Sequence, residues 1–238
     1  MMNKIEQLKF IIENNDKIVF FGGAGVSTES GVPDFRSSNG LYKYTPEKIL
    51  SHSFFKENPE TFFEFYKKNL IFKEAKPNKA HQVLAKMEED GKFLGIITQN
   101  IDSLHQMAGS KNVYELHGSI SKNYCTKCKK KYTLEEFLSI NSDVPYCACG
   151  GIIKPDVILY EEQLNWDVID GSVSLLEKAD VLIVGGTSLI VNPAASLINY
   201  FSGKHLIIIN FDPTPYDSKA EIIIREKIGD TLSKVYIL

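Results

Sequence analysis

Between Met1 and Tyr124, and again after Cys149, the sequence has no cysteine; it also lacks long apolar runs and any excess of basic charge. The longest unbroken apolar stretches, Ile18 to Phe21, Val181 to Val184 and Leu206 to Ile209, are of strand length. A membrane-spanning helix requires roughly 20 such residues. At the N-terminus Ile5, Leu8, Ile11 and Ile12 recur at helical spacing with charges between them. That is an amphipathic helix rather than the apolar core and small-residue cleavage site of a signal peptide. A soluble, cytoplasmic protein is expected. With 27 Lys plus Arg against 30 Asp plus Glu, no basic surplus exists to neutralise a phosphate backbone or an anionic lipid surface. Neither nucleic acid nor membrane is expected as a partner. In a chain without an export signal, four clustered cysteines point to metal rather than to disulfides.

What is present is a rhythm of short apolar runs between helical patterns. The runs are Lys17 to Phe21, Phe93 to Thr98, Asn112 to Leu116, Asp180 to Val184, His205 to Asn210 and Glu221 to Ile224. Residues 78–90, 165–179, 192–203 and 227–236 read as the intervening helices. Continuous rather than alternating apolar strands imply burial on both faces, as in a parallel sheet covered by helices. The expected class is α/β, doubly wound. Two stretches interrupt it. Residues 32–77 are aromatic and punctuated by Pro33, Pro46, Pro59 and Pro77, with one helix from Pro59 to Phe72 whose Phe62, Phe63, Tyr66, Leu70 and Ile71 form a stripe. Residues 119–153 hold all the cysteines and little apolar bulk. Both read as insertions that build a smaller second domain, leaving 1–31, 78–118 and 154–238 as the main one.

The first strand runs directly into Gly22, Gly23, Ala24, Gly25, Val26, Ser27 and Thr28. A glycine-rich turn at a helix N-terminus lets backbone N–H groups approach a phosphate, favoured by the helix dipole. A tight structural turn explains the same glycines. Thr28 stands where a dinucleotide fingerprint carries its third glycine, and no acid follows about twenty residues later to hold a ribose. A nicotinamide dehydrogenase is therefore disfavoured even if NAD binds. Just beyond, Asp34, Phe35 and Arg36 lie in a proline-stiffened loop and form a candidate lid.

Thr98, Gln99, Asn100, Ile101 and Asp102 stand where one apolar run ends, and Glu115 to His117 where the next does. In an open α/β sheet ligands bind outside the carboxyl ends of the strands, so these polar groups converge on one crevice, with His117 as the candidate base. Asp102 alone reads first as a helix cap. Gly186, Thr187, Ser188 and Asn210 sit at two further strand ends, where small residues leave room for a nucleotide and hydroxyls or an amide can bond it. Cys125-x-x-Cys128 and Cys147-x-Cys149 fit two knuckles holding tetrahedral Zn²⁺ through four thiolates, a closed and hence structural site. A redox dithiol is the alternative. Lys122, Lys127, Lys129, Lys130 and Lys131 read as a solvated face, with docking of an acidic partner as the other reading. His52, His81, His105 and His205 read as structural or exposed.

The segments GAGVSTESGVPDFRS (23–37), TQNIDSLHQMAG (98–109), ELHGS (115–119), the cysteine module, KPDVILY (154–160), GTSLIVNPAA (186–195) and IIIN (207–210) resemble, in this order, those of the sirtuins, NAD-dependent protein deacylases. The resemblance runs from about residue 8 to the C-terminus. It implies a Rossmann-like NAD-binding domain (1–31, 78–118 and 154–238), a helical module with a cofactor loop (32–77) and a zinc ribbon (119–153), with the cleft between them. It further implies His117 as general base, Asn100 and Asp102 in the nicotinamide pocket, Gln99 on the ribose and Ile101 beside them. Gly23, Ala24, Gly25, Thr28, Asp34, Phe35 and Arg36 would cover NAD. Gly186, Thr187, Ser188, Asn210 and Ile228 would hold its adenosine half. Backbone near Val157 and Ile158 would pair with an acyl-lysine peptide, and Tyr160 would wall the tunnel.

Two departures from the family pattern stand out. Where relatives commonly read Phe-Gly-Glu this chain has Tyr160, Glu161, Glu162, which puts a side chain near the peptide groove. Members that prefer succinyl groups carry a Tyr and an Arg three apart; here Tyr66 is followed by Lys67, Lys68 and Asn69, so uncharged acyl groups are expected. The implied reaction is attack of the acyl oxygen on C1′ of the nicotinamide ribose, releasing nicotinamide and giving free lysine and O-acyl-ADP-ribose. Mono-ADP-ribosyl transfer and a non-catalytic NAD sensor are the competing readings.

Overall fold

The computed structural model describes residues 2–34 and 46–237. Its helices are α1 (Lys4–Glu13), α2 (Pro46–Ile49), α3 (His52–Glu57), α4 (Pro59–Asn69), α5 (Lys79–Glu89), α6 (Leu104–Met107), α7 (Leu134–Ser139), α8 (Trp166–Lys178) and α9 (Ile228–Val235). Its strands are β1 (Ile18–Gly22), β2 (Phe93–Thr98), β3 (Val113–Glu115), β4 (Gly118–Cys125), β5 (Lys131–Thr133), β6 (Ile153–Val157), β7 (Val181–Gly185), β8 (His205–Ile209) and β9 (Ile222–Ile224). Six strands form one sheet in the order β3-β2-β1-β7-β8-β9, with every pair parallel. The α/β class read from the apolar runs is what the structure has.

Each run is buried on both faces because alternate side chains enter different cores. Phe20, Ile96, Ile183 and Ile207 meet Leu8 and Ile12 of α1, Leu84 and Met87 of α5 and Leu232 of α9. Val19, Phe21, Leu182 and Val184 meet Leu175 and Leu176 of α8, Leu197 and Ile198. Register then aligns the strand ends: Gly22 lies opposite Thr98 and Gly185, Thr98 opposite Glu115, and Gly185 opposite Ile209. The chain leaves β1 for β2 on one side and reaches β7 on the other, so the topological switch point, where a crevice opens, is at β1 and β7.

A third core joins the two insertions. Phe55, Phe62, Phe63 and Tyr66 of α3 and α4 pack with Phe137 of α7, Ile153 and Val157. Phe62 meets both Phe55 and Phe63 edge-on, and Tyr66 lies stacked on Phe62 with its edge to Phe137. The order β5-β4-β6 makes a small antiparallel sheet.

Three local expectations need correction. The turn after β1 leads not into an α-helix but into two 3-10 turns, Ala24–Val26 and Thr28–Ser30, closed by Gly31 at φ 81°. Residues 194–200 are a 3-10 helix rather than an α-helix, and Ser196 returns both its N–H and its hydroxyl to the Pro193 carbonyl, favouring the tighter winding. Lys154 to Val157, grouped by sequence with the main domain, pair antiparallel with β4 in the small sheet.

Between α5 and α6 lies a pair of buried imidazoles, His81 and His105, with ring centroids 4.7 Å apart. Nδ1 of His81 accepts the Asn78 N–H (3.2 Å), whereas His81 Nε2 and both nitrogens of His105 have no partner among the described residues. Burial pulls the pKa of His81 down to about 4, and burial together with His81 pulls that of His105 well below the ordinary value. Both fold neutral, and the unfolded chain binds their protons near pH 6.5. The stabilising contribution of His81 is therefore complete above about pH 6.5 and is lost as pH falls from there toward 4, by up to about 1.4 kcal/mol per pH unit, and His105 acts in the same direction. Urea midpoints measured from pH 7 to pH 5 should drop steeply, and less so in a His81→Gln, His105→Phe variant. An equal drop in both proteins would remove the pair as the cause.

Candidate active site

The two glycine turns at the switch point interlock. Gly23 N–H donates to Gly185 O (3.3 Å) and Gly25 N–H to Gly186 O (2.8 Å). A Cβ on Gly25 would lie 2.8 Å from Gly186 Cα, and Gly186, at φ 58°, would place its own 2.4 Å from Val26 N. Close backbone approach thus requires glycine here. Two of the amides that sequence reasoning offers to a phosphate are spent on the neighbouring strand end. Ala24 and Thr28 open the two 3-10 turns, with the Thr28 hydroxyl donating to Gly25 O (3.0 Å), and Asp34 is half-buried at the end of this described stretch. Phe35 and Arg36, the candidate lid, lie outside the described residues.

Across the cleft, β2 and β3 deliver the polar cluster. Gln99 N–H donates to Gly22 O (3.0 Å) and Leu116 N–H to Thr98 O (2.9 Å), which locks the two strand ends to β1. Gln99 Nε2 donates to Thr187 Oγ1 (3.0 Å), bringing residues from β2 and β7 into one wall. His117 Nδ1 lies 2.9 Å from Gln99 O. A carbonyl can only accept, so Nδ1 carries the proton and Nε2 keeps its lone pair. Burial lowers the pKa of this ring, opposed by the Gln99 carbonyl, and the imidazole is neutral at neutral pH.

One residue that sequence reasoning missed organises the rest. Ser27, fully buried, donates its hydroxyl to Asp102 Oδ2 (2.6 Å) and accepts from Asn100 Nδ2 (3.1 Å). Its only sequence signal is a hydroxyl beside the glycine turn; its partners are more than seventy positions away. Asp102, one residue ahead of Ser103 at the N-cap position of α6, also accepts Leu104 N–H through Oδ1 (2.9 Å). Burial raises its pKa, against the Ser27 and Leu104 bonds. Ile101 takes Ile120 N–H on its carbonyl (2.9 Å) and packs toward the third core.

The further strand ends complete the cleft. Thr187 is buried and Ser188 half-buried, while Asn210 turns its amide to Asp212 O (2.8 Å). Ile228 opens α9, buried against Gly185, where a Cβ would meet its Cδ1. Glu29, a second missed residue, accepts Gly229 N–H (3.0 Å) and ties the first turn to α9. On the opposite side Val157 is buried, Ile158 gives its N–H to His117 O (2.9 Å) and Tyr160 is exposed. Tyr66 does not face this cleft. It is fully buried among the phenylalanines with its hydroxyl unpartnered among the described residues, and burial raises its pKa. Lys67 Nζ is directed to the carbonyls of Ser142 (2.7 Å) and Asp143 (3.3 Å).

The four cysteine sulfurs lie within 4.8 Å of one another, with Cys125 and Cys149 Sγ 3.4 Å apart and Cys128 and Cys147 Sγ 3.7 Å apart. Tetrahedral Zn–S bonds of about 2.3 Å place sulfurs about 3.8 Å apart, so the donor set fits the ion. The short second knuckle is accommodated by Gly150 at φ 79° and by Gly151, whose Cβ would lie 2.6 Å from Cys125 Sγ. Of the lysines nearby, Lys122 pairs with Glu115, Lys129 lies over Tyr124 and Lys130 over Tyr132. That favours a locally satisfied, solvated face.

Comparison with known proteins follows the same lines. Residues 23–193 match the Sir2 family model. The chain is 57% identical over 242 residues to an NAD-dependent protein deacetylase of Clostridium acetobutylicum, with 99% of both chains covered. It is 58% identical to one from Clostridium perfringens over 243 residues, again covering 99% of each. Among solved structures, a Sir2 protein with a deacetylated p53 peptide and 3′-O-acetyl ADP ribose superposes with a TM-score of 0.90 at 40% identity, covering 98% of this chain and 97% of that one. Another, with a p53 peptide and NAD⁺, gives 0.88 at 39% identity over the same shares.

Proposed function

The chain belongs to the Sir2 family and is an NAD-dependent protein deacetylase, and we propose that the cleft at the strand ends carries the reaction with His117 as its general base. The observation that carries this assignment is the His117 Nδ1 contact with Gln99 O, which leaves Nε2 as the proton acceptor inside a cleft bounded by Asn100, Ser27 and Asp102. NAD supplies an electrophilic ribose carbon, C1′, once nicotinamide departs. The peptide's acetyl oxygen is the nucleophile there, and water completes a balance of nicotinamide, free lysine and O-acetyl-ADP-ribose. His117 takes the proton of a ribose hydroxyl. Asn100 and Asp102, held by Ser27, orient the nicotinamide end, and Gln99 reaches the ribose. Thr187, Ser188, Asn210 and Ile228 hold the adenosine half beside the Gly23–Gly25 turn, with Ala24, Thr28, Asp34, Phe35 and Arg36 covering the cofactor. Val157 and Ile158 present backbone to the acyl-lysine, with Tyr160 at the tunnel wall.

The cysteines Cys125, Cys128, Cys147 and Cys149 hold a structural Zn²⁺ in this reading, and the unbridged thiols suit a cytoplasmic setting. No helix among the described residues is long and apolar enough to cross a membrane. The chain divides into a Rossmann-like part and a smaller part built from the helical module and the zinc ribbon, each with its own core.

Two measurements follow. Ser27→Ala strands Asn100 Nδ2 and Asp102 Oδ2 in a buried site, and unpaired buried groups cost about 1–3 kcal/mol each. Turnover should fall about 10- to 100-fold. A variant within twofold of wild type would show that Ser27 orients nothing. Second, acetyl-lysine peptides should react at least about tenfold faster than succinyl-lysine peptides, because Asn69 stands three residues after Tyr66, where succinyl-preferring members carry an arginine for the acyl carboxylate. Tyr66 is consumed in the core and Lys67 on the 142–143 carbonyls. The function itself is tested by mass spectrometry of NAD and acyl-peptide mixtures; release of nicotinamide matched by loss of the acetyl group is expected, and NAD binding with every peptide unchanged would refute it.

A further inference from the structure

Beyond β6 the chain makes a tight turn that is gripped from two directions. From the strand, Lys154 Nζ, almost wholly buried, donates to Val157 O (2.8 Å) and Glu162 Oε2 (3.0 Å), and Glu162 also takes Leu159 N–H (2.8 Å). From the helical module, Tyr160 N–H donates to Leu50 O and His52 N–H to Tyr160 O, both at 3.0 Å, so that Ser51 and Tyr160 form a parallel bridge. His52 Nδ1 lies 2.8 Å from Glu162 Oε1.

Glu161 stands at the centre of this grip in a conformation that a side chain resists. Its φ is 75°, in the left-handed region, yet it is not glycine. Its carboxylate accepts Ser53 N–H on Oε2 (2.9 Å) and the Ser53 hydroxyl on Oε1 (3.0 Å). Neither alanine nor glycine can make these bonds. The turn borders a 390 Å³ cleft lined by His52, Tyr124, Asp156, Ile158, Glu161 and Gln163. At its head Ile158 has given its N–H to His117 O, and its carbonyl has no partner among the described residues.

We infer that Glu161 is a positioning residue for the peptide side of the site: by binding Ser53 it clamps residues 158–162 to α3 and holds the Ile158 carbonyl edge ready before peptide arrives. The inference rests on the reading that Ile158 presents its backbone to the acyl-lysine. A preformed edge spares the peptide the cost of ordering it, so loss of the clamp lowers peptide affinity and leaves the chemistry on NAD alone.

The test compares Glu161→Ala, Glu161→Gly and Glu161→Gln with wild type, using an acetyl-lysine peptide at saturating NAD, with direct peptide binding by fluorescence anisotropy and thermal melting beside it. Losing two bonds to a carboxylate should raise the peptide Kd and KM about tenfold in the Ala and Gly variants, with kcat and the KM for NAD within twofold. The Gln variant keeps an acceptor oxygen and should recover part of the loss. Glycine relieves the backbone strain and alanine does not, so Glu161→Gly should melt above Glu161→Ala while binding peptide as weakly. That separation excludes a merely structural role. If wild type deacetylates and the Gly variant binds peptide as wild type does, the clamp is overturned while the functional reading stands. If peptide affinity follows melting temperature across the variants, Glu161 only stabilises the fold, and the inference is likewise overturned. If wild type neither binds nor deacetylates any acetyl-lysine peptide, the functional reading fails and the inference falls with it.

Discussion

His117→Ala is expected to lower the deacetylation rate about 10²- to 10⁴-fold, the range contributed by a positioned general base, while NAD and peptide continue to bind. The size of the effect follows from how completely the ring is committed. Gln99 O fixes the tautomer through Nδ1, and Ile158 N–H on the His117 carbonyl fixes the backbone beside the peptide edge. Alanine preserves the backbone bond and removes only the base. Burial lowers the pKa of the ring, so the active neutral form predominates at neutral pH and is lost on the acid side, below the ordinary histidine value of about 6.5. The rate should therefore be flat through neutrality and fall in acid. Single-turnover kinetics of the variant against pH would check both points; a variant retaining a tenth of the wild-type rate with the same acid limb would assign the proton to another group.

The second large effect is expected on removal of the zinc proposed for the four cysteines. Replacing Cys128 by Ser, or extracting the ion with a strong chelator, should unfold the β5-β4-β6 sheet and lower the melting temperature by on the order of 10 °C. A structural zinc contributes many kcal/mol, and a domain of this size shifts about 2–4 °C per kcal/mol. The damage should spread, because Phe137 and Ile153 of the ribbon share a core with Phe62, Phe63 and Tyr66. β6 also leads straight to Ile158, so deacetylation should be lost with the metal although no cysteine approaches the cleft. Elemental analysis beside circular dichroism tests this. A protein that holds no zinc, or that melts unchanged after extraction, would contradict it.

Much of this was legible in sequence because the governing interactions are local or periodic. Apolar runs such as Val181 to Val184 announced strands buried on both faces, and the strand-end rule grouped Asn100, Asp102 and His117, of which Asn100 and Asp102 meet at Ser27 and His117 at the carbonyl of Gln99. What sequence did not disclose depends on partners brought together only by folding. Ser27 meets Asn100 and Asp102, and Glu29 meets Gly229, across separations that no motif spans. Gly23 and Gly25 read as a phosphate cradle and Gly186 as room for a nucleotide, whereas their tightest requirement is each other's backbone. Tyr66 belongs to the apolar stripe of its helix and lies in the third core with Phe62 and Phe137, as that periodicity implies. The family pattern marks Glu161 as standing in a glycine's place, but not why a side chain is kept there, since its partner is Ser53, more than a hundred residues earlier.

The most direct measurement is of where the acetyl group goes. A peptide carrying a ¹³C-labelled acetyl-lysine, incubated with NAD and the purified protein, should yield the label on ADP-ribose, one equivalent for each nicotinamide released, and none as free acetate at early times. Label recovered as free acetate with NAD intact, or ADP-ribose attached to protein with the acetyl-lysine untouched, would contradict transfer within this cleft.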